Sequence, residues 1–232
     1  MKDARAEMTE TPPQKWLSRG EFLFRKYLTG FRIGGEPHLD RHALAHFKDV
    51  IARTTRYLEY GSGGSTILAC QTAKVVVTVD NDPRFLRSVV RALSSSPAVP
   101  DLFVPIHVDT GFTRRWGVPV FRTPTPKRVL GWQCYTKAPW EVFRAHSMEP
   151  DTILVDGRFR AACVLESLLN LATDSACVIL VDDYVGRREY AVVEAFADRV
   201  ATFGKMATLR KKPDFDSEEC LRVLPHLYCD WR

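Results

Sequence analysis

RYLEYGSGGSTILACQTAKVVVTVDND, residues 56–82, decides the fold. A short run able to form a buried strand, Tyr57 and Leu58, ends on Glu59 and passes into a turn containing Gly61, Gly63 and Gly64. The residues after the turn suit a helix, and a β-branched run then reaches Asp80. Glycine in the turn permits backbone angles closed to other residues and lets a ligand approach the main chain. The first free N–H groups of the helix point into the same space. A carboxylate at the tip of the second strand, about twenty residues after the turn, is placed to accept hydrogen bonds from ribose hydroxyls. The segment reads as a nucleoside-cofactor site.

The chain has 232 residues, 45% of them hydrophobic, enough to bury the core of one domain with additions. Its longest apolar run, Ala176 to Val181, is of strand length and far short of the ~20 residues that span a bilayer, so no membrane span is expected. The opening MKDARAEMTETPPQKW is polar and lacks the apolar centre of a secretory signal; a cytoplasmic protein is the expectation. None of the six cysteines forms a CxxC pair, and Cys70, Cys163 and Cys177 fall in apolar patterns, which points to buried thiols. The net charge of +5 permits attraction to anions, but the basic residues form no stripe interleaved with aromatics. Nucleic acid is therefore not indicated as a partner, and a small-molecule acceptor is expected. The oligomeric state is not specified by the sequence.

Around the central unit, residues 1–15 read as a flexible tail and 16–55 as helices packed on a core domain of 56–232. Trp16 to Phe31 has helical spacing, and Asp40 is placed to cap a helix running to Thr54. Beyond Asp80, a helix from Pro83 to Leu93 is followed by the turn-rich Ser94 to Pro100 and a third strand, Leu102 to Val108. Residues 109–140 are rich in Gly, Pro, Arg and aromatics and carry little periodicity, so they read as a long inserted lid with Trp116, Phe121, Trp132, Tyr135 and Trp140 as its anchors. A short helix from Pro139 to His146, a strand from Thr152 to Val155, a helix from Ala161 to Leu171 and a strand from Ala176 to Val181 follow. A helix over Arg188 to Phe196 and two β segments, Lys205 to Leu209 and Leu221 to Tyr228, complete the pattern. Repeated alternation of strand and helix predicts an α/β fold whose mostly parallel sheet is covered on both faces.

Glu59, Asp80, Asp109, Asp156 and the pair Asp182 and Asp183 each end a predicted strand. Ligands of open α/β sheets bind beyond the carboxyl ends of the strands, so these acids should meet on one rim. Uncompensated carboxylates ~4 Å apart repel by on the order of 4 kcal/mol at an effective dielectric of 20. A cation or arginines such as Arg158, Arg160, Arg187 and Arg188 must therefore share the rim. The forked arginine donors could also bind a carboxylate or phosphate of an acceptor.

The ExGxG pattern at Glu59 to Gly63, the acid Asp80 in VDNDP, and the later acids Asp109, Asp156 and Asp182 resemble the class I S-adenosylmethionine-dependent methyltransferases. WGVP after the third strand, VDGRFRAAC and LVDDYVGRREY resemble, more narrowly, an uncharacterised group of bacterial methyltransferase-like proteins. The resemblance implies a Rossmann-like seven-stranded sheet with the last strand antiparallel. It implies that Glu59, Gly61, Ser62 and Gly63 line the methionine part of S-adenosylmethionine, that Asp80 and Asn81 hold the ribose, and that Asp109 lies near the adenine, with Asp156 bordering the cofactor. A more distant similarity, to catechol O-methyltransferase-like enzymes, implies Mg2+ held by Asp156, Asp182 and Asp183, with Asp156, Asp183 and Arg158 in the catalytic half. The sequence departs from that pattern at Asp183, where an Asn is usual, and at Phe159, where the base lysine is usual.

The expected function is O- or N-methylation of a small or medium acceptor, anionic ones included. A non-catalytic cofactor-binding or regulatory protein of the same fold is the alternative. A nicotinamide-dependent oxidoreductase is disfavoured because the third glycine of a dinucleotide turn would fall at Thr66.

Overall fold

The computed structural model describes residues 24–94 and 100–232. The expected tail, the first half of the helix expected from Trp16 and most of the turn before Pro100 lie outside these residues. Seven strands form one sheet in the order β3-β2-β1-β4-β5-β7-β6. They are β1 (Arg56–Tyr60), β2 (Val75–Asp80), β3 (Leu102–His107), β4 (Thr152–Val155), β5 (Val178–Val181), β6 (Ala197–Phe203) and β7 (Met206–Lys211). The first five run parallel, and β7 is antiparallel to both β5 and β6.

Strand alternation divides the core in two. Tyr57, Val76, Leu154 and Leu180 point to one face, where helices α1 (Arg41–Ile51), α2 (Gly64–Thr72) and α3 (Pro83–Leu93) cover them with Phe47, Ile51, Ile67 and Val89. Leu58, Tyr60, Val77, Val79, Ile153, Val155 and Ile179 point to the other. That face is covered by α4 (Pro126–Ala145), α5 (Arg160–Asn170), α6 (Ser217–Leu227) and a 3-10 segment, Arg188–Ala195. The central strands are buried on both sides, which is why they read as continuous apolar runs.

Three sequence expectations are corrected. The span 109–140 is not one irregular lid. Thr125 caps a 20-residue helix, α4, that starts at Pro126 and runs through Pro139. Its buried face, Trp132, Tyr135, Thr136, Pro139, Trp140 and Phe143, has helical spacing that the intervening Gly131 and the internal proline disguise. Leu221 to Tyr228 is not a strand but most of α6, started by Asp216, whose carboxylate accepts from the Glu219 N–H at 2.9 Å. The stretch beginning at Arg188 winds as a 3-10 segment and gives way at Ala197 to an unexpected strand, β6, which pairs with β7 as a hairpin.

Helix α4 is fixed to the sheet by polar as well as apolar contacts. The Tyr60 hydroxyl donates to the Thr136 carbonyl at 2.8 Å and accepts from Trp140 Nε1 at 2.9 Å, all buried. Tyr60→Phe removes both bonds and leaves the buried indole N–H without its partner, and we expect a loss of about 1–3 kcal/mol in folding stability, read as a lower urea midpoint. An unchanged midpoint would contradict this account of how α4 is held.

Candidate functional site

Glu59 lies on the face of β1 covered by α2, and it is completely buried. Its carboxylate accepts hydrogen bonds from the hydroxyls of Ser65, Thr66, Thr78 (2.9 Å) and Tyr57 (3.2 Å). Thr66 also accepts the N–H of Gly63 at 2.9 Å, so one carboxylate ties β1, β2 and the first turn of α2 to the glycine turn. Glu59 therefore sits beneath the turn and shapes it; its oxygens are engaged with hydroxyls and do not line the rim. Burial pushes its carboxyl from an ordinary value of 4.5 up to about 7, against the pull of those four hydroxyls.

Above Glu59, Gly61 has φ +97 and stands against the β4 turn: a Cβ there would fall 2.6 Å from Gly157 Cα. A side chain on Gly157 would in turn strike the Tyr135 hydroxyl. A Cβ on Gly63, by contrast, would meet nothing within 4 Å, so the outer side of the turn is open. Ser62 reaches the tip of β2, where its N–H and hydroxyl donate to Asp80 Oδ2 at 3.0 and 2.7 Å. Asp80 Oδ1 accepts from the Asp82 N–H at 2.8 Å, and burial lifts this carboxyl to about 6.

The residues after β3 form the neighbouring wall. Asp109 is exposed and accepts from the Gly111 N–H at 2.8 Å. Asn81 Nδ2 donates to the Thr110 hydroxyl (2.9 Å) and to the Gly117 carbonyl (2.8 Å), so it fastens the loop to the end of β2. Asp82 caps α3 and forms a buried ion pair with Lys26 at 2.6 Å; Lys26 also donates to the carbonyl and hydroxyl of Thr113. This polar group was not singled out in the sequence, although Asp82 immediately before Pro83 is a legible helix cap.

The three acids expected to hold magnesium, Asp156, Asp182 and Asp183, lie at the ends of β4 and β5. Among the described residues no group of three or more His, Cys, Asp or Glu side chains is arranged to hold a metal ion. The positive charge that the rim requires is supplied by arginine. Buried Arg160 donates through Nη2 to the Asp156 carbonyl (3.0 Å) and Oδ1 (2.9 Å), through Nη1 to the Asp182 carbonyl, and through Nε to the Gly157 carbonyl (3.1 Å). Asp183 pairs with Arg187 at 2.7 Å and, at the longer distance of 3.9 Å, with Arg160. Burial raises the Asp156 carboxyl against the pull of Arg160 and Arg158, and burial together with Asp156 raises that of Asp182. Phe159 is fully buried among Trp132 and Tyr135, at ring distances of 5.7 and 5.8 Å, in a left-handed conformation with φ +57. Two open surface depressions, one lined by residues between Pro124 and Gln133 and the other by residues between His226 and Arg232, include no strand-end residue.

No protein-family model and no curated protein matches the chain. Among solved structures, a methyltransferase-like protein from Silicibacter pomeroyi DSS-3 is similar over 85% of this chain and 100% of its own, at 28% identity and a TM-score of 0.71. An SAH-bound methyltransferase from Podospora anserina (13% identity, 73% of this chain and 76% of its own, TM-score 0.39) is far more distant. So is an rRNA methylase from Streptococcus thermophilus (12%, 75% and 99%, 0.42). The sheet order, its antiparallel β7 and the first of these likenesses give the chain the fold of the class I S-adenosylmethionine-dependent methyltransferase superfamily. No helix among the described residues is long and apolar enough to cross a membrane.

The raised carboxyls carry a stability consequence. An acid that holds its proton more tightly folded than unfolded makes stability fall as pH rises from its unfolded to its folded value. For Glu59 that window runs from 4.5 to about 7, with Asp80 contributing between 3.8 and about 6. Folding stability should decline between about pH 4.5 and pH 7, by on the order of 3 kcal/mol from Glu59, and Glu59→Gln should flatten the slope. Urea midpoints across this range read it directly; a wild-type midpoint that rises or stays level would contradict the burial argument.

Proposed function

We propose that the chain binds S-adenosylmethionine at the ends of β1 and β2 and transfers its methyl group to oxygen or nitrogen of a small or medium acceptor held at the ends of β4 and β5. One observation carries the reading: the open glycine turn meets Asp80 through Ser62 at 3.0 and 2.7 Å, on the rim of a sheet with the superfamily's strand order. The residues present fit an adenosyl group. Gly63 leaves the turn approachable, the buried Glu59 knot holds its shape, and Asp80 brings a carboxylate whose partner Ser62 can exchange for a ribose hydroxyl. When bound, the cofactor supplies a methyl group on a positively charged sulfur.

The chain's own part is alignment. Asn81 and Lys26 hold the loop after β3 over the cofactor half, and Arg160 and Arg187 hold Asp156 and Asp183 at the acceptor half. Methyl transfer to a nucleophile needs chiefly that acceptor, methyl carbon and sulfur lie in line, so the position of Phe159, where a base lysine is usual, does not preclude it. That same position keeps the non-catalytic reading in play as the second choice.

Calorimetry of the full chain should give binding of S-adenosylmethionine and S-adenosylhomocysteine and none of NAD, with Asp80→Asn weakening both adenosyl ligands by about tenfold or more. Tight NAD binding without a response to either adenosyl ligand would refute the proposal. Adenosyl binding without methylation across a broad metabolite panel would favour the non-catalytic protein.

A further inference from the structure

We infer that Arg158 is the anion-binding residue of the acceptor site, taking a carboxylate or phosphate of the molecule to be methylated. The inference rests on the methyl-transfer reading and narrows its acceptor class.

The three arginines at the ends of β4 and β5 are not equivalent. Arg160 is committed to the carbonyls of Asp156, Gly157 and Asp182 and to the Asp156 carboxylate. Arg187 is committed to Asp183 at 2.7 Å and to the Tyr190 hydroxyl at 3.2 Å. Arg158 makes no side-chain hydrogen bond and no ion pair with any described residue, yet it is half-buried. Its Nε is one of two buried side-chain polar atoms among the described residues that lack a partner. The other, Trp132 Nε1, belongs to the ring packed on Phe159, the residue next to Arg158.

A guanidinium withdrawn from water with an unused donor is costly unless something completes it. Arg160 adds a second positive charge that acts on it, and Asp156, the carboxylate acting on it, is already gripped by Arg160. The unused fork suits two oxygens of one carboxylate or phosphate. The left-handed Phe159, locked by Trp132 and Tyr135, separates the two neighbouring arginines: Arg160 grips the strand tips and Arg158 is left over. Arg158 follows the end of β4, and the charged and phenolic groups that act on it, Arg160, Tyr135, Asp156 and Tyr190, lie on the β4 and β5 side and on α4, the half given above to the acceptor.

The test is calorimetry of the full chain, saturated with S-adenosylhomocysteine, against inorganic phosphate and, separately, succinate. Wild type should bind at least one. Arg158→Met should weaken that binding about tenfold or more, and Arg158→Lys should recover part of it. S-adenosylhomocysteine affinity should stay within about twofold, and Arg222→Met, on the exposed side of α6, should change neither. If Arg158→Met does not fold, Arg158→Gln, which keeps polarity without the charge, makes the same comparison. Equal anion affinity in wild type and the charge-removing variants overturns the inference, as does a wild type that binds neither anion. Loss of S-adenosylhomocysteine affinity with anion binding unchanged also overturns it and moves Arg158 to the cofactor's own carboxylate. A wild type that binds anions through Arg158 but no adenosyl ligand sinks the methyl-transfer reading while leaving the anion site standing.

Discussion

A single buried carboxylate, Glu59, sets the geometry on which everything at the rim depends. Four hydroxyls from β1, β2 and α2 converge on it, and through Thr66 it reaches the main chain of the glycine turn. Such a network is worth more as a specification than as stabilisation. Burying an acid is expensive, and removing any one hydroxyl leaves the carboxylate short of a donor. The turn is thus held from below by a polar knot, which frees its outer side from any structural duty.

Charge compensation is the second organising constraint. A ring of strand-end acids cannot stand alone, and either a divalent ion or guanidinium groups can neutralise it. In this structure the guanidinium groups of Arg160 and Arg187 meet Asp156 and Asp183. Arg160 spans the tips of β4 and β5 through two carbonyls and a carboxylate, a role that a hard cation would fill with different geometry. The aromatic Phe159 follows from the same choice. With the acidic pair served by Arg160 and Arg187, the residue between Arg158 and Arg160 is free to join the core with Trp132 and Tyr135.

The fold was legible wherever apolar pattern and turn chemistry agreed. Each of the first five strands is a short apolar run followed by an acid or a polar turn, and the parallel arrangement follows from the helices between them. Legibility failed where punctuation misled. Gly131 and Pro139 broke up the signature of α4, although Trp132, Tyr135, Thr136, Trp140 and Phe143 keep helical spacing throughout. The apolar residues Leu221, Val223 and Leu224 suggested a strand, whereas the Asp216 cap and the buried pair Cys220 and Leu224 mark a helix. At the site, residue types announced that acids and arginines would meet. Which acid meets which arginine is a matter of side-chain reach and backbone angle: nothing in the string DGRFR says that Arg160 is consumed and Arg158 spared. Glu59 is the sharpest case, since its place before the glycines suggested a ligand contact and its strand parity turned it inward beneath α2.

The contact between Gly61 and Gly157 joins two turns nearly a hundred residues apart into one piece of backbone. Since neither position has room for even a methyl group, the two cannot drift independently over evolutionary time. A lineage that loses one glycine must re-site the other turn, and the Tyr135 hydroxyl behind it, together. The seam between β1 and β4 should therefore outlast changes in what the protein acts upon.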